Sequence, residues 1–209
     1  LLADLAVAAD RIDELVVVDG ASADGTARVA RLAGARLLRT DPCRGGQLAA
    51  GVAATDSAWL LLLHADARLP KNWQELVSAA MAAGDQSAWA FRLRIDAAAP
   101  PLRLVEALVT LRSLWFQLPY GDQGLLVSRE RLEAVGGIRP IPLMEDLDLV
   151  LRLRRATRID LLPAALRVSG RRWRRLGVLA TALDNARLRR AWRRGIPPDA
   201  LAARYYGPR

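Results

Sequence analysis

Short, largely apolar runs alternate with helix-like segments through the first 83 residues. The runs at 14–18, 35–38 and 59–63 have the length of buried strands and are followed by polar or glycine-containing loops. Helices are predicted at 1–12, 26–33, 47–54 and 72–83, with a loop at 41–46. Because strand, loop and helix follow one another in turn, the pattern predicts an α/β fold on a mostly parallel sheet with helices on both sides.

The pattern changes after residue 90, where 91–95 alternates apolar and polar residues, as a strand with one solvent-facing side does. An apolar helix is predicted over 102–118, but Arg103, Glu106 and Arg112 interrupt it and argue against a membrane span. The remaining predicted elements are a loop at 121–124, a strand at 125–128, a short helix at 129–135, a helix from 144 to 155, a strand at 158–162 and a basic helix at 176–194.

Two acids lie at or just beyond the ends of predicted strands. Asp19 ends the first strand and Asp66 follows the run 59–63. In open α/β sheets, ligands bind beyond the carboxyl ends of the strands, so Asp66 is well placed for a metal or a phosphate, although such an acid can also be a plain strand-end residue. His64, the single histidine, shares the side of Asp66 if the strand continues. It is our second choice as a metal ligand, after Asp66.

The loop after Asp19 is built of small residues and leads into a helix. Such a loop can present backbone N–H groups to a phosphate, while Ser22 and Asp24 could equally be helix caps. The spacing Gly20-x-x-x-x-Gly25 is that of a phosphate loop, but the lysine of a P-loop is missing. We therefore exclude a P-loop ATPase.

Three acids, Glu145, Asp146 and Asp148, fall in the first turn of the helix that begins near 144. The helix dipole favours acids there whatever their function, yet a positioned carboxylate is also a usual general base. Asp146 and Asp148 are two positions, or about 200°, apart and cannot face the same ligand.

Composition adds two observations: the tail is basic, and the cysteine content is compatible with a reducing compartment. The chain has 31 basic and 22 acidic residues, a net charge of +9, and 14 arginines against two aspartates lie between Arg152 and Arg194. Such a tail attracts phosphates of a substrate, a nucleic acid or an anionic lipid, unless it is only a solvated face. One cysteine, Cys43, excludes an internal disulfide.

Taken together, six motifs resemble those of the family 2 glycosyltransferases, which have the GT-A fold. The motifs are residues 16–26 (VVVDGASADGT), 44–51 (RGGQLAAG), 64–66 (HAD), 121–124 (GDQG), the pair 145–146 (ED) and 171–173 (RRW). Within the family they are most similar to bacterial glycosyltransferases associated with radical-SAM and selenium-related genes. This chain begins after the family's first strand, so we expect it to be truncated at its N-terminus.

The resemblance implies an inverting transfer from a nucleotide-diphosphate sugar to a hydroxyl acceptor, assisted by Mg2+ or Mn2+. It implies that Asp19, Ser22 and Arg44 bind the nucleotide. Asp66 would hold the metal. His64, the second choice as ligand, stands where many members of the family carry an acid.

The resemblance also assigns the acids of the later helix. Asp146 would be the base, Glu145 would lie beside it as a catalytic or orienting group, and Asp148 would pair with solvent or an arginine. The implied acceptor-binding residues are Asp122, Gln123, Arg172 and Trp173, with Ser169 replacing the glutamine of the last motif.

We expect a GT-A domain over 1–170 and a basic helical tail over 171–209. Leu176, Leu179, Leu183, Leu188 and Trp192 of the tail would lie on an anionic membrane surface or pack against the domain. A cytoplasmic enzyme at the inner face of the membrane, with an acceptor that could be lipid-linked, is expected; nucleic acid is not. The alternatives are a sugar nucleotidyltransferase-like enzyme and a non-catalytic basic module that binds nucleic acid or membrane.

Overall fold

The computed structural model describes residues 1–207, which form two β-sheets surrounded by helices. The strands are β1 (Val16–Asp19), β2 (Arg36–Arg39), β3 (Trp59–Leu62), β4 (Ala67–Arg68), β5 (Ser87–Asp96), β6 (Leu125–Ser128) and β7 (Arg158–Ser169). The α-helices are α1 (Leu2–Ala6), α2 (Thr26–Leu32), α3 (Arg44–Ala53), α4 (Trp73–Ala82), α5 (Pro100–Phe116), α6 (Arg129–Ala134), α7 (Glu145–Ala156), α8 (Arg171–Leu176), α9 (Val178–Arg193) and α10 (Pro198–Tyr206). Short 3-10 turns lie at Ala9–Arg11 and Gly121–Gln123.

The larger sheet is mixed, which corrects the prediction of a mostly parallel sheet. Strands β1 and β2 pair in parallel in a two-stranded sheet, and the larger sheet has the order β3-β6-β5-β7-β4. Within it only β5 and β7 are parallel; β3 and β6, β5 and β6, and β4 and β7 are antiparallel. The strand-loop-helix alternation holds only for the first part of the chain, where the α/β prediction is confirmed.

The larger sheet is covered on both faces. On one face α4 packs Trp73 and Val77 against Leu126, and on the other α7 packs Leu149 and Leu153 against Val127. Successive residues of a strand point to opposite faces, so β6 contributes to both clusters and all four of its residues are buried. This packing fixes the first turn of α7 at one end of the sheet.

Helix α3 begins at Arg44, three residues before the predicted start. The Gly45-Gly46 pair favoured a loop at 41–46, but Cys43 caps the helix by accepting a hydrogen bond from the Gly46 N–H at 3.4 Å. The Gly45 N–H also donates to the Ile141 carbonyl at 3.1 Å. These contacts outweigh the low helix propensity of glycine and place Arg44 in the first turn of α3.

The tail helices pack against the rest of the chain. Leu188 of α9 is 1% exposed and contacts Leu143 and Leu201, so this anchor of the predicted membrane face is part of the core, while Leu179 and Leu183 are exposed. Helix α10, which the sequence analysis did not predict, completes this cluster. Within residues 1–207, no helix combines the length and apolar content that a bilayer crossing requires.

Candidate active site

A small cavity of about 30 Å³ lies beyond the end of β3, where the 121–123 turn meets the first turn of α7. The polar or glycine positions in its lining come from three separate stretches of the chain. They are His64, Tyr120, Gly121, Gly124, Glu145 and Asp146. The structure therefore brings together both predicted catalytic acids and the second-choice metal ligand.

Asp146 is held by a backbone donor of the 121–123 turn. Its Oδ2 accepts from the Gly121 N–H at 2.8 Å, and its Oδ1 accepts from the Leu147 N–H at 2.7 Å. A Cβ at Gly121 would lie 2.7 Å from the His64 Nε2, so only glycine lets the turn approach both side chains this closely. The Asp146 carboxylate is thereby fixed beside the cavity.

Glu145 lies deeper than Asp146 and is 1% exposed. Its Oε1 is 2.9 Å from the Arg44 Nε, and its Oε2 has no hydrogen-bond partner within residues 1–207. Burial raises the pKa of Glu145 to about 7; Arg44 opposes this rise and Asp146 adds to it. Glu145 can thus gain or lose a proton near neutral pH. When it gains one, the Arg44 guanidinium loses the negative charge that lies 2.9 Å from its Nε.

Arg44 also lies against His64. One guanidinium nitrogen is 3.0 Å from Nε2 and 3.4 Å from Nδ1 of the ring. Burial, and next the Arg44 charge, lower the pKa of His64 to about 4, so the ring is neutral at physiological pH. The pKa of Arg44 is raised above its ordinary value: burial alone would lower it, but Glu145 and Asp146 outweigh that effect.

The position of Arg44 relative to Glu145 depends on close packing at the next residue. A Cβ on Gly45 would lie 2.3 Å from the Arg139 carbonyl oxygen and 2.6 Å from that of Ile141. Real Cβ atoms do not come this close, so α3 can lie against the segment before α7 only with glycine here. The RGGQ motif therefore joins α3 to α7 backbone to backbone.

Asp148 faces away from the cavity and pairs with two arginines. Its Oδ2 is 2.7 Å from the Arg152 Nη2, and its Oδ1 is 3.0 Å from the Arg139 Nη1. The sequence left Asp148 to solvent or to an arginine, and these contacts agree with the arginine alternative.

Asp19 and Ser22 lie at the end of β1, as the sequence predicted. Asp19 is 3% exposed; its Oδ1 accepts from the Ser22 N–H at 3.1 Å, and its Oδ2 has no partner within residues 1–207. Ser22 is exposed. Gln47 of α3 donates to the Val18 carbonyl at 3.0 Å and so ties this strand end to the helix that carries Arg44.

The predicted metal ligands are unequally suited to a cation. Asp66 is exposed in the turn between β3 and β4, whereas His64 faces the Arg44 guanidinium. Within residues 1–207 no group of three or more His, Cys, Asp and Glu side chains could hold a metal alone. The residues fit a cation that takes one carboxylate from Asp66 and its other ligands from a bound diphosphate. They do not fit a His64-centred site.

The 121–124 motif contains a structural residue, Gln123, and an acid with one oxygen that lacks a partner within residues 1–207, Asp122. Gln123 has no exposed surface: its Oε1 accepts from Arg112 and Ser113 at 3.0 and 3.1 Å, and its Nε2 donates to the Phe91 carbonyl at 2.9 Å. The prediction that Gln123 contacts the acceptor is therefore wrong, because its amide is used to anchor the turn.

Asp122 keeps a buried Oδ1 without a partner within residues 1–207. Burial raises its pKa to about 6, against the opposing charge of Arg112. Asp122 remains a candidate for acceptor binding because this oxygen has no hydrogen-bond partner there.

Arg172 and Trp173 do not reach the cavity lining, contrary to the prediction that they bind the acceptor. The Arg172 guanidinium is 2.8 Å from Asp184 and lies 4.1 Å from the Tyr205 ring centroid. Trp173 packs against the cluster that contains Leu102. Both side chains fasten α8 to neighbouring helices, because α8 and the C-terminal helices fold onto each other.

Tyr206, near the end of α10, was missed by the sequence analysis. Its side chain forms a hydrogen bond with Arg44, and burial raises its pKa. The Pro197-Pro198 pair, which starts α10, and the two tyrosines at its end were the available signals. No local pattern indicates that this helix returns to Arg44.

Comparisons with known proteins agree with this architecture. Residues 2–133 match the profile of "Glycosyl transferase family 2". A TPR repeat-containing protein of Synechococcus elongatus is 42% identical over 77 residues, which is 35% of this chain and 19% of that protein.

Three solved structures are similar in fold. A Pyrobaculum calidifontis mannosyltransferase, in complex with GDP-Man and Mn2+, has a TM-score of 0.58 and 20% identity over 74% of this chain and 47% of its own. Mycobacterium tuberculosis glucosyl-3-phosphoglycerate synthase, in complex with Mn2+ and UDP-glucose, has a TM-score of 0.58 and 21% identity; the match covers 89% of this chain and 70% of that chain. S. aureus TarS 1–349, in complex with UDP, has a TM-score of 0.59 and 15% identity; the match covers 81% of this chain and 55% of that chain.

These identities show the GT-A fold alone, and the chain spans only about half to two thirds of those three chains. The family profile, in contrast, covers more than half of this sequence. The chain therefore belongs to glycosyl transferase family 2.

Proposed function

We propose that this chain moves a sugar from a nucleoside-diphosphate donor to a hydroxyl acceptor with inversion, using Asp146 as the general base. The observation that carries the proposal is the Asp146 carboxylate, which the Gly121 N–H holds at 2.8 Å beside the cavity. Support for the donor class comes from the three similar structures, whose bound molecules are UDP, UDP-glucose and GDP-Man.

The reaction is one displacement. The acceptor oxygen forms a bond to the anomeric carbon while the bond from that carbon to the diphosphate oxygen breaks. Asp146 takes the proton of the acceptor hydroxyl, and the diphosphate leaves with the electron pair of the broken bond. A single displacement from the face opposite the leaving group inverts the anomeric centre.

Asp66 is the residue that would hold Mg2+ or Mn2+ against the donor diphosphate. When bound, the cation supplies positive charge that stabilises the leaving diphosphate. His64 is neutral and lies against Arg44, so we assign it a packing role under Gly121 and not a place among the ligands.

Arg44 and Glu145 are assigned as positioning residues for the donor side. Arg44 holds a positive charge in a half-buried place, and Glu145 fixes its Nε from the opposite side at 2.9 Å. Asp19 and Ser22, at the end of β1, remain the residues proposed to meet the nucleoside. A cytoplasmic or membrane-surface location stays a prediction.

Calorimetry with UDP and GDP tests the donor site. Both chelator and Asp66→Ala should weaken nucleotide binding, and Asp66→Ala should make it insensitive to added Mn2+. Asp56→Ala is the matched control, since Asp56 is also exposed but lies before β3.

Two results would contradict the assignment. The first is equal nucleotide affinity with and without metal in the unmutated protein. The second is salt-sensitive nucleic acid binding without nucleotide binding, which would favour the non-catalytic basic module.

A further inference from the structure

A second, larger concavity lies between α5, α7 and α9, with a volume of about 540 Å³. We call it the arginine groove. Its lining consists of Arg112, Phe116, Leu118, Tyr120, Leu151, Arg154, Arg189 and Arg193. It shares one lining residue, Tyr120, with the cavity that contains Asp146.

Within residues 1–207, none of the four guanidinium groups of the arginine groove has a carboxylate oxygen within 4.0 Å, although the charges of Asp122 and Asp146 act on Arg112 from farther away. Arg112 instead donates to the Leu118 carbonyl at 2.8 Å, and Arg154 donates to the Phe116 carbonyl at 3.0 Å. Neutral oxygens thus fix these two side chains while their charge stays available to a ligand.

Two of these charges lie near the same aromatic ring. The Arg112 guanidinium carbon is 3.7 Å from the Tyr120 ring centroid and that of Arg189 is 5.4 Å from it. Burial lowers the pKa of Arg112, and the Arg189 charge lowers it further, although Tyr120, Asp122 and Asp146 oppose the shift. An anion bound in the groove would relieve this repulsion.

The groove also lies beside the reacting acid. Tyr120 directly precedes Gly121, whose N–H holds Asp146. The lining of the groove contains none of the residues assigned to the donor, namely Asp19, Ser22, Arg44 and Asp66. A molecule anchored in the groove could therefore extend past Tyr120 to Asp146 without occupying the donor side.

We infer that the arginine groove binds a phosphate-type anionic group of the acceptor and so presents the acceptor hydroxyl to Asp146. This inference rests on the proposed function, because the ligand of the groove is an acceptor only if the chain transfers a sugar. Several guanidinium groups around one concavity match phosphate oxygens, because each offers paired N–H donors.

The phosphate group can come from a soluble monoester or from a lipid head group. The second source is included because Phe116 continues into an exposed apolar side of α5. Its side chains, 38% to 72% exposed, are Leu104, Leu108, Leu111, Leu114, Trp115 and Phe116. In both cases the phosphate would meet the same arginines. With a lipid, the bilayer surface would also lie against the apolar side of α5.

Calorimetry with phenyl phosphate, without nucleotide or metal, tests the groove directly. The variant Arg189→Gln/Arg193→Gln should weaken binding by about tenfold or more, because two charge-assisted contacts are lost. Arg187→Gln/Arg194→Gln is the matched control: it removes the same charge from the same helical region at exposed positions outside the groove. Its affinity should stay within about twofold of the unmutated protein, as expected when no direct contact is lost.

The same variants are then compared by sedimentation with vesicles of phosphatidylglycerol and phosphatidylcholine. Binding of phenyl phosphate that depends on Arg189 and Arg193 identifies a soluble source, and vesicle binding with that dependence and no phenyl phosphate binding identifies a lipid source. Both results support the inference. Equal losses in the two double variants, or no binding of either probe, would overturn it.

Nucleotide competition separates this inference from the proposed function. Saturating UDP or GDP with Mn2+ should leave phenyl phosphate binding intact, and displacement by the nucleotide would make the groove part of the donor site and overturn the inference. If neither nucleotide binds at all while phenyl phosphate binds through the groove, the proposed function fails and the anion site remains.

Discussion

Two carboxylates in the first turn of α7 have opposite surroundings although only one residue separates them. Asp148 has a side chain that is 7% exposed and is paired with Arg152 and Arg139. Asp146 receives two backbone N–H donors and faces the cavity. The helix supplies acids in both places, and the approaching elements decide which acid pairs with arginines and which faces the cavity.

The difference follows from helix geometry together with the turn at Gly121. Two positions correspond to about 200° around the helix, so a partner of one side chain cannot reach the other. Asp148 meets two arginine side chains, whereas the hydrogen bonds that hold Asp146 come from backbone N–H groups. Substitution of one acid at a time tests this distinction.

The largest effect is expected for Asp146→Asn, which preserves shape and removes basicity. Turnover should fall by about 10²- to 10⁴-fold, the usual range for loss of a general base, while donor binding stays nearly unchanged. Steady-state kinetics and donor calorimetry measure the two quantities. Asp148→Asn is the control and should change the turnover of folded enzyme little. An active Asp146→Asn enzyme, or an inactive Asp148→Asn enzyme that still binds donor, would show that the wrong acid was chosen.

The effect of Asp148→Asn should instead appear in the free energy of unfolding. Removing one partner of a buried ion pair leaves the other charge uncompensated, and we expect a loss of about 2–4 kcal/mol, since Arg139 is largely exposed and can be hydrated. Urea denaturation of Asp148→Asn and Asp146→Asn measures the contrast. Equal losses in both variants would remove the distinction between a structural and a reactive acid.

A smaller, pH-dependent effect is expected for Glu145→Gln. The pKa of Glu145 is raised from 4.5 to about 7 in the folded protein, so between these values the folded state binds more protons than the unfolded state. The stability of the unmutated protein should therefore decline as pH rises through this window, whereas Glu145→Gln lacks this decline. Above pH 7 the variant should be more stable by roughly 1–3 kcal/mol, and near pH 4.5 the gap should vanish.

Thermal denaturation at several pH values between 4.5 and 8 measures this gap. Glu133→Gln, at a carboxylate whose side chain is 65% exposed, is the control and should show no such trend. A gap of constant size would mean that Glu145 is not held in its neutral form by burial.

Local patterns predicted most elements of the fold, because apolar runs and their bounding residues reflect burial directly. Strand β6 was predicted with its observed bounds, 125–128, and Asp146 and Asp148 were separated by helix periodicity alone. The direction of strand pairing was not predictable in this way. Residues 125–128 look equally apolar whether their neighbours run parallel or antiparallel.

The errors in the site concern contacts between distant segments. Gln123 has the same sequence position whether its amide faces an acceptor or, as here, the Phe91 carbonyl. Likewise Arg172 of α8 pairs with Asp184 of the next helix, α9. Such partners depend on how separate elements pack, which no local spacing encodes.

The close approach at Gly45 limits how α3, which carries Arg44, and α7, which carries Glu145, can be changed independently. An alanine there would push α3 away from residues 139–141 and move Arg44 from Glu145, even though Gly45 itself contacts no reacting group. When the α7 acids are transferred to another scaffold, or this domain is recombined with a relative, residues 44–46 and 139–146 must therefore come from the same parent protein.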